Sequence, residues 1–383
     1  MDRRTKNKFL YLQNKKLKGN NVNKTVVVAM SGGVDSSTAA ALLKQQNYNV
    51  IGITMKMWSF MEIGGAPKHE SGCCSLDAIY DAKFVADILN FPHYVVDFTE
   101  IFEKTVIDNF VSEYLKGRTP NPCVVCNRKI KWEELLQKAD SLGAEYVATG
   151  HYAKIEYNSL TKRYCLKKSV DNKKDQTYAL WGLTQESLKR TLFPLGNLTK
   201  TEVRQIAEKY NLKNSKKPDS QEICFVADNN YERFIREKIK DIEKLAPKGD
   251  IIYNGKKIGK HKGIPFYTIG QRKGLGVALG KPVYVSKIDA KENVIYLSDK
   301  EGLLEKKLIA RDANYVSVET LKPNDMVICK IRYSDNGSLA KVIKSDEVSF
   351  ELEFLEPKSA ITPGQTAAVY DEQGYLLAGG IIA

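Results

Sequence analysis

The chain has 383 residues, 43% hydrophobic, 9% aromatic and 27% charged. That make-up excludes a disordered chain, a fibrous repeat or a small disulfide scaffold. Lys+Arg 59 against Asp+Glu 46 gives a net charge of +13, which favours a polyanionic partner. Arg3, Arg4, Lys6, Lys8, Lys15, Lys16, Lys18 and Lys24 face only Asp2 within residues 1–24, so about +6 is left for the folded body. No apolar run reaches the roughly 18–20 residues of a membrane span. The N-terminus lacks the apolar centre and cleavage site of a secretory signal. A cytoplasmic chain with a flexible basic tail over residues 1–22 is expected.

After the tail, Thr25–Met30 reads as a buried parallel strand and Ser37–Gln46 as a short helix, with a glycine turn at Ser31–Ser36 between them. Val50–Met55 is a second strand. Asp77–Leu89 is an amphipathic helix with Ile79, Val85, Ala86 and Leu89 on one side. Tyr94–Asp97 is strand-like, Ile101–Lys116 and Ile130–Leu142 are helical, and Tyr146–Thr149 is a strand ending at Gly150-His151. This alternation predicts a doubly wound α/β domain with a parallel sheet over residues 23–215. Ligands of such sheets sit beyond the carboxyl ends of the strands. One clear helix follows at Thr199–Asn211, and residues 228–244 are again helical. A small central domain is expected over 216–303. Residues 304–383 read as all-β, with Met326–Tyr333, Val348–Leu355 and Thr366–Tyr370 as strands of a small barrel.

The turn Ser31-Gly32-Gly33-Val34-Asp35-Ser36 carries the first chemical signal. Two glycines let the backbone approach a polyanion, and the helix start that follows offers unpaired N–H groups. A carboxylate beside phosphates makes sense mainly if it holds a cation such as Mg²⁺, which is the role expected of Asp35. No lysine stands where a Walker loop needs one, so a P-loop kinase or GTPase is disfavoured.

The seven cysteines are unevenly grouped: Cys73-Cys74, Cys123-x-x-Cys126, and single Cys165, Cys224 and Cys329. Such grouping suggests reactive or metal-binding thiols more than a disulfide framework. Cys126 is expected just before a helix starting near Arg128, with Asn127 as cap. Arg128, Lys129 and Lys131 would then stabilise its thiolate. Cys224, after the polar loop 213–222, could serve as the second member of a sulfur relay. The same Cys-x-x-Cys is equally compatible with half a zinc site, an iron–sulfur cluster or redox chemistry. Cys73 and Cys74 have no assigned role, while Cys165 and Cys329 fall in apolar patterns and read as core.

The loop Ala29–Ser36 resembles that of the PP-loop ATP pyrophosphatases, whose fold is adenine nucleotide alpha hydrolase-like. With Thr119–Cys126, Ala148–Tyr152, Lys174–Gln176, Phe193–Gly196, Lys200–Arg204, Asp219–Phe225 and Tyr267–Gly276, the chain from 24 to 383 resembles the tRNA-specific 2-thiouridylases. The resemblance implies that Ala29, Met30, Ser31, Gly32, Gly33, Val34, Asp35, Ser36, Met55 and Gly150 bind ATP, with Mg²⁺. Cys126 would be the nucleophile and Cys224 the persulfide carrier, while Asn121, Pro122 and Cys123 face the target uridine. His151, Lys174, Asp175, Gln176, Arg332, Tyr333 and Gln365 would contact the anticodon arm of tRNA. A cysteine desulfurase or sulfur-relay protein would supply sulfur.

One departure stands out, because many family members carry Asp where this chain has Cys123. Three thiols, Cys123, Cys126 and Cys224, could then ligate an iron–sulfur cluster instead of running a persulfide route. A small-molecule PP-loop ligase and a zinc-stabilised tRNA-binding module remain the alternatives to thiolation.

Overall fold

The computed structural model describes residues 24–58, 76–217, 223–226 and 228–383. The basic tail, Cys73, Cys74 and residues 218–222 of the polar loop lie outside the described residues. Strand β1 (Thr25–Ala29) is a Val-rich run buried on both faces beyond Thr25, as a central parallel strand must be. It pairs in parallel with β2 (Asn49–Lys56) on one side and β4 (Tyr146–Ala148) on the other. Strands β3 (His93–Asp97) and β7 (Thr191–Leu192) complete a five-stranded sheet in the order β3-β2-β1-β4-β7. The strand order reverses between β1 and β4, which is where a doubly wound sheet opens a ligand crevice.

Helix α1 (Val34–Gln45) begins three residues earlier than the sequence pattern suggests, so Asp35 and Ser36 lie in its first turn. Helix α2 (Leu76–Leu89) buries Ala78, Ala82, Val85 and Ala86, whereas Ile79 and Leu89 are only half-buried. The small-residue stripe has a packing reason. A Cβ on Gly32 would stand 2.2 Å from the Ala78 carbonyl oxygen, so loop and helix touch backbone to backbone. Two longer helical rods follow, α3 over residues 99–115 and α4 over residues 122–141. Each contains a wider π-helical stretch, Glu103–Ile107 in α3 and Asn127–Glu134 in α4.

Between α4 and the central region lie the hairpin β5 (Ala153–Asn158) and β6 (Arg163–Lys168), then α5 (Gln185–Lys189) and α6 (Lys200–Lys209). Thr199 and Glu202 form a reciprocal capping box that fixes the start of α6. The central region adds α7 (Tyr231–Lys238) and a mixed four-stranded sheet. Its strands are β8 (Asp250–Tyr253), β9 (Lys256–Lys260), β10 (Tyr284–Asp289) and β11 (Val294–Ser298).

The C-terminal region is a closed barrel. Its strands are β12 (Leu304–Tyr315), β13 (Met326–Lys330), β14 (Ser338–Ser345), β15 (Ser349–Ser359), β16 (Thr366–Tyr370) and β17 (Tyr375–Ile382). They run in the order β12-β15-β14-β13-β16-β17, and β17 pairs back onto β12. The hairpin β5–β6, which the sequence pattern did not signal, extends this sheet through Tyr375↔Lys167 and Leu376↔Leu166. Barrel and nucleotide domain are therefore joined by backbone hydrogen bonds. One hydrophobic cluster also runs from Val27 and Ile53 through Cys126 and Phe225 to Val285 and Tyr370. No helix among the described residues is long and apolar enough to cross a membrane.

Candidate functional site

The glycine loop sits at the crevice. Ser31 N–H donates to Ser36 Oγ at 3.2 Å, and Ser36 Oγ donates to the Gly33 carbonyl at 3.2 Å, which folds the turn on itself. Gly33 occupies the cap position of α1 and no side chain caps that helix end. An anion there meets the positive pole of α1 without a competing carboxylate cap. Ala29, Met30, Val34, Ser36 and Met55 are buried, whereas Ser31 is exposed and Gly33 and Asp35 are half-buried. Gly150 closes the crevice from β4, since a Cβ on it would lie 2.7 Å from Asp35 C and from Ser36 N.

Asp35 meets an ammonium where the sequence suggested a divalent ion. Lys200, the first residue of α6, donates to both of its carboxylate oxygens at 2.7 and 2.8 Å, and the Tyr152 hydroxyl donates to Oδ1 at 2.8 Å. Arranged this way, Asp35 is a satisfied ion-pair partner rather than an open metal ligand. Sequence reasoning assigned no role to Lys200 or Tyr152. The pair spans 165 residues of chain, and only the Thr-x-x-Glu box that starts α6 marks Lys200 as belonging to a helix N-terminus.

Asn121 sits at the cap position of α4 and Pro122 is its first residue, where the missing N–H of proline costs nothing. The expectation that this helix starts near Arg128 is therefore corrected. Cys123 lies in the first turn and Cys126 inside the rod. Asn127 caps nothing, and its side chain donates to the Ala179 carbonyl at 2.9 Å. Cys126 is 8% exposed and belongs to the main core cluster, whereas Cys123 faces solvent. Of the three basic residues expected to serve Cys126, Lys129 pairs with Glu133 at 2.9 Å and Arg128 lies 3.9 Å from the same carboxylate.

Cys224 is half-buried at the edge of the same cluster. Its neighbour Phe225 is held by three rings, Phe102 at 5.7 Å, Phe110 at 5.2 Å and Phe234 at 5.2 Å. The segment carrying Cys224 is thus pinned between α3 and α7. Among the described residues no group of three His, Cys, Asp or Glu side chains converges as a metal site. Cys123, Cys126 and Cys224 accordingly do not form such a group, and Cys73 and Cys74 lie outside the described residues. Cys165 and Cys329 are core residues, 5% and 0% exposed.

Several residues that the resemblance assigns to tRNA are anchored by hydrogen bonds within the protein. Burial pushes the Tyr333 phenol up, with Asp175 and Cys123 adding to the shift and Lys174 opposing it. Tyr333 packs edge-on against Tyr178 at 6.3 Å, and Asn121 neighbours the Tyr178 hydroxyl. Lys174-Asp175-Gln176 is not the exposed turn its polarity suggests. Asp175 is buried and accepts from Ser169 N–H at 3.1 Å and Thr177 Oγ1 at 2.7 Å, while Gln176 Oε1 accepts from Tyr152 N–H at 2.9 Å. Burial raises the Asp175 pKa against those hydrogen bonds. Arg332 is exposed and donates to the Ala360 carbonyl at 2.8 Å. Gln365 Nε2 donates to the carbonyls of Thr119 and Pro120 at 3.0 and 3.1 Å.

His151 joins the two halves of the site. It follows Gly150, its Nδ1 bonds Thr149 Oγ1 at 2.7 Å, and its ring lies 5.6 Å from Trp132 on α4 and 6.1 Å from Phe193. Burial, reinforced by Lys131, holds its pKa well below the usual imidazole value. The ring is therefore neutral near pH 7.

Three family models match successive stretches of the chain. A tRNA methyl transferase HUP domain covers residues 24–228, a tRNA methyl transferase PRC-barrel domain 232–299, and an aminomethyltransferase beta-barrel domain 305–382. The chain is 49% identical over 362 residues to the tRNA-specific 2-thiouridylase MnmA of Clostridioides difficile (strain 630), covering 94% of this chain and 98% of that protein. It is 50% identical over 359 residues to the protein of the same name from Acetivibrio thermocellus, covering 94% and 99%. The Salinibacter ruber counterpart is 48% identical over 358 residues, covering 93% and 94%. Matches of that depth along nearly the whole length leave one assignment: the chain belongs to the tRNA-specific 2-thiouridylase family.

Proposed function

We propose that this protein is an ATP-dependent tRNA sulfurtransferase that converts the wobble uridine of tRNA to 2-thiouridine. ATP binds with its phosphates at Ser31–Ser36 and the N-terminus of α1. Mg²⁺ carried with the triphosphate would offset its charge. The 2-oxygen of the uridine attacks the α-phosphate, pyrophosphate leaves, and the adenylated oxygen becomes a good leaving group. The terminal sulfur of a persulfide on Cys224 then bonds to C2 as AMP departs. The Cys126 thiolate takes the Cys224 end of the remaining S–S bond, which frees the thiocarbonyl and leaves a Cys126–Cys224 disulfide for an external thiol to reduce. A cysteine desulfurase or relay protein would reload the persulfide. Positioning and charge stabilisation carry most of the catalysis. The base must leave its stack to reach the site, as for other base-modifying enzymes.

The observation that supports this reading best is the chain of contacts from loop to thiol. Gly150 packs on Asp35 and Ser36, His151 follows it with its ring tilted against Trp132, and Trp132 sits on the same rod as Cys126. Asn121 neighbours the Tyr178 hydroxyl, Tyr178 packs edge-on against Tyr333, and Arg332 beside it in sequence is exposed for a polyanion.

The test is nucleoside mass spectrometry of tRNA incubated anaerobically with the protein, ATP and a persulfide source. 2-Thiouridine and one pyrophosphate per thiolation are expected. Cys126→Ser and Cys224→Ser should each abolish the product and leave tRNA binding intact. Full activity in either variant would end the relay, and absence of 2-thiouridine with the wild type would end the function.

A further inference from the structure

The segment immediately before the cysteine motif is held by residues far from it in sequence. Thr119 N–H donates to the Pro363 carbonyl at 2.8 Å, and Arg118 Nη2 donates to the Ile382 carbonyl at 3.0 Å. Thr119 Oγ1 donates to Thr268 Oγ1 of the central region at 3.2 Å. Gln365 Nε2 bridges the carbonyls of Thr119 and Pro120. Gly364, at φ +89°, comes so close that a Cβ would lie 2.9 Å from Thr119 N and O. The strap 118–120 is thus gripped by the turn that enters β16 and by the end of β17.

What the strap controls follows from its stiffness. Pro120 and Pro122 fix two of the φ angles between the Gln365 contact and the start of α4. A shift at Thr119 therefore reaches Cys123 and Cys126 with little slack to absorb it. The two Nε2 protons of Gln365 already serve these carbonyls, so its donors are directed at the protein rather than at RNA.

We propose that Gln365 is a positioning residue for sulfur transfer, acting through the 118–120 strap to hold Cys123 and Cys126 in register. The resemblance assigns Gln365 to tRNA binding, so the two roles make opposite predictions. The proposal rests on the thiolation reading for its kinetic arm but not for its chemical arm.

The experiment compares wild type with Gln365→Leu and, as an independent push on the same strap, Gly364→Ala. Three quantities are read: tRNA Kd by filter binding, kcat and KM for thiolation, and the rate of Cys126 alkylation by iodoacetamide followed by peptide mass spectrometry. In both variants kcat should fall, by about 10²-fold if the thiol moves by an ångström, with Kd and KM for tRNA unchanged. The buried Cys126 should alkylate several-fold faster. Weakened tRNA binding with unaltered alkylation would make Gln365 an RNA contact and overturn the proposal, as would no change in any readout. If Gly364→Ala does not fold, judged by its thermal transition, Gln365→Leu alone decides. Should the wild type make no 2-thiouridine, faster alkylation would still uphold the strap while the functional reading fails.

Discussion

The nucleotide loop and the cysteine strap are built in opposite ways. Most of the loop is local: six consecutive residues running into the first turn of α1 fold on one another through Ser31, Gly33 and Ser36. The strap is almost wholly non-local, held by Thr268, Pro363, Gln365 and Ile382, more than a hundred residues away. A local site tolerates rearrangement elsewhere in the chain, whereas a non-local one exists only when every region is docked. The consequence is a division of labour. ATP binding should survive damage to the barrel, and sulfur transfer should not.

The sharpest way to break that division is at the loop itself. Gly150→Ala would drive a methyl into the backbone at Asp35 and Ser36, which lie 2.7 Å from the ideal Cβ position. Neither is a flexible side-chain end, so the loop must move. Thiolation kcat/KM for ATP should fall by about 10²-fold or more, with the Cys126 alkylation rate unchanged. A variant with normal ATP affinity, measured by calorimetry, would show that Gly150 is not part of the nucleotide site. Lys200→Met should have a smaller effect. Removing the ammonium leaves Asp35 as an uncompensated carboxylate beside incoming phosphates, and Coulomb repulsion over a few ångströms at intermediate dielectric weakens ATP binding by about tenfold. The tRNA Kd should stay as it was. Equal losses of ATP and tRNA affinity would mean that α6 had come loose, and that the Lys200–Asp35 pair is structural.

Those two substitutions also mark the limit of what was legible in the sequence. The strand, glycine turn and helix around Ser31–Ser36 announce themselves because a parallel strand and a tight turn each have a local composition. Cys165 and Cys329 were readable as core from their apolar patterns, and they are 5% and 0% exposed. The partner of Asp35 was not readable, since nothing near residue 35 or residue 200 encodes a pairing that only the docking of α6 creates. The start of α4 was misplaced because two prolines look like an extended approach, although a proline is also well suited to a helix's first residue. The burial of Asp175 was hidden as well. A Lys-Asp-Gln run has the polarity of a surface turn until Ser169 and Thr177 supply its hydrogen bonds.

The smallest effect concerns the residue where the two regions meet. His151 touches the loop side through Gly150 and the thiol side through Trp132. Burial, then Lys131, depress its pKa in the folded protein. The unfolded chain, with an imidazole near ~6.5, binds its proton first as pH falls. The stability gained by keeping this ring neutral is therefore complete above about pH 6.5 and is lost progressively below it, at up to about 1.4 kcal/mol per pH unit for one proton. His151→Gln keeps a polar group beside Thr149 and removes the titration. The difference in unfolding free energy between wild type and variant should thus be flat from pH 7 to 8 and shift in favour of the variant between pH 6.5 and 5.5. His93 and His261 are also depressed by burial and contribute equally to both proteins, so they cancel in the difference. A difference that stays constant down to pH 5.5 would show that His151 titrates like a solvated imidazole. The ring would then be an open contact for RNA rather than a joint between the loop and the helix of Cys126.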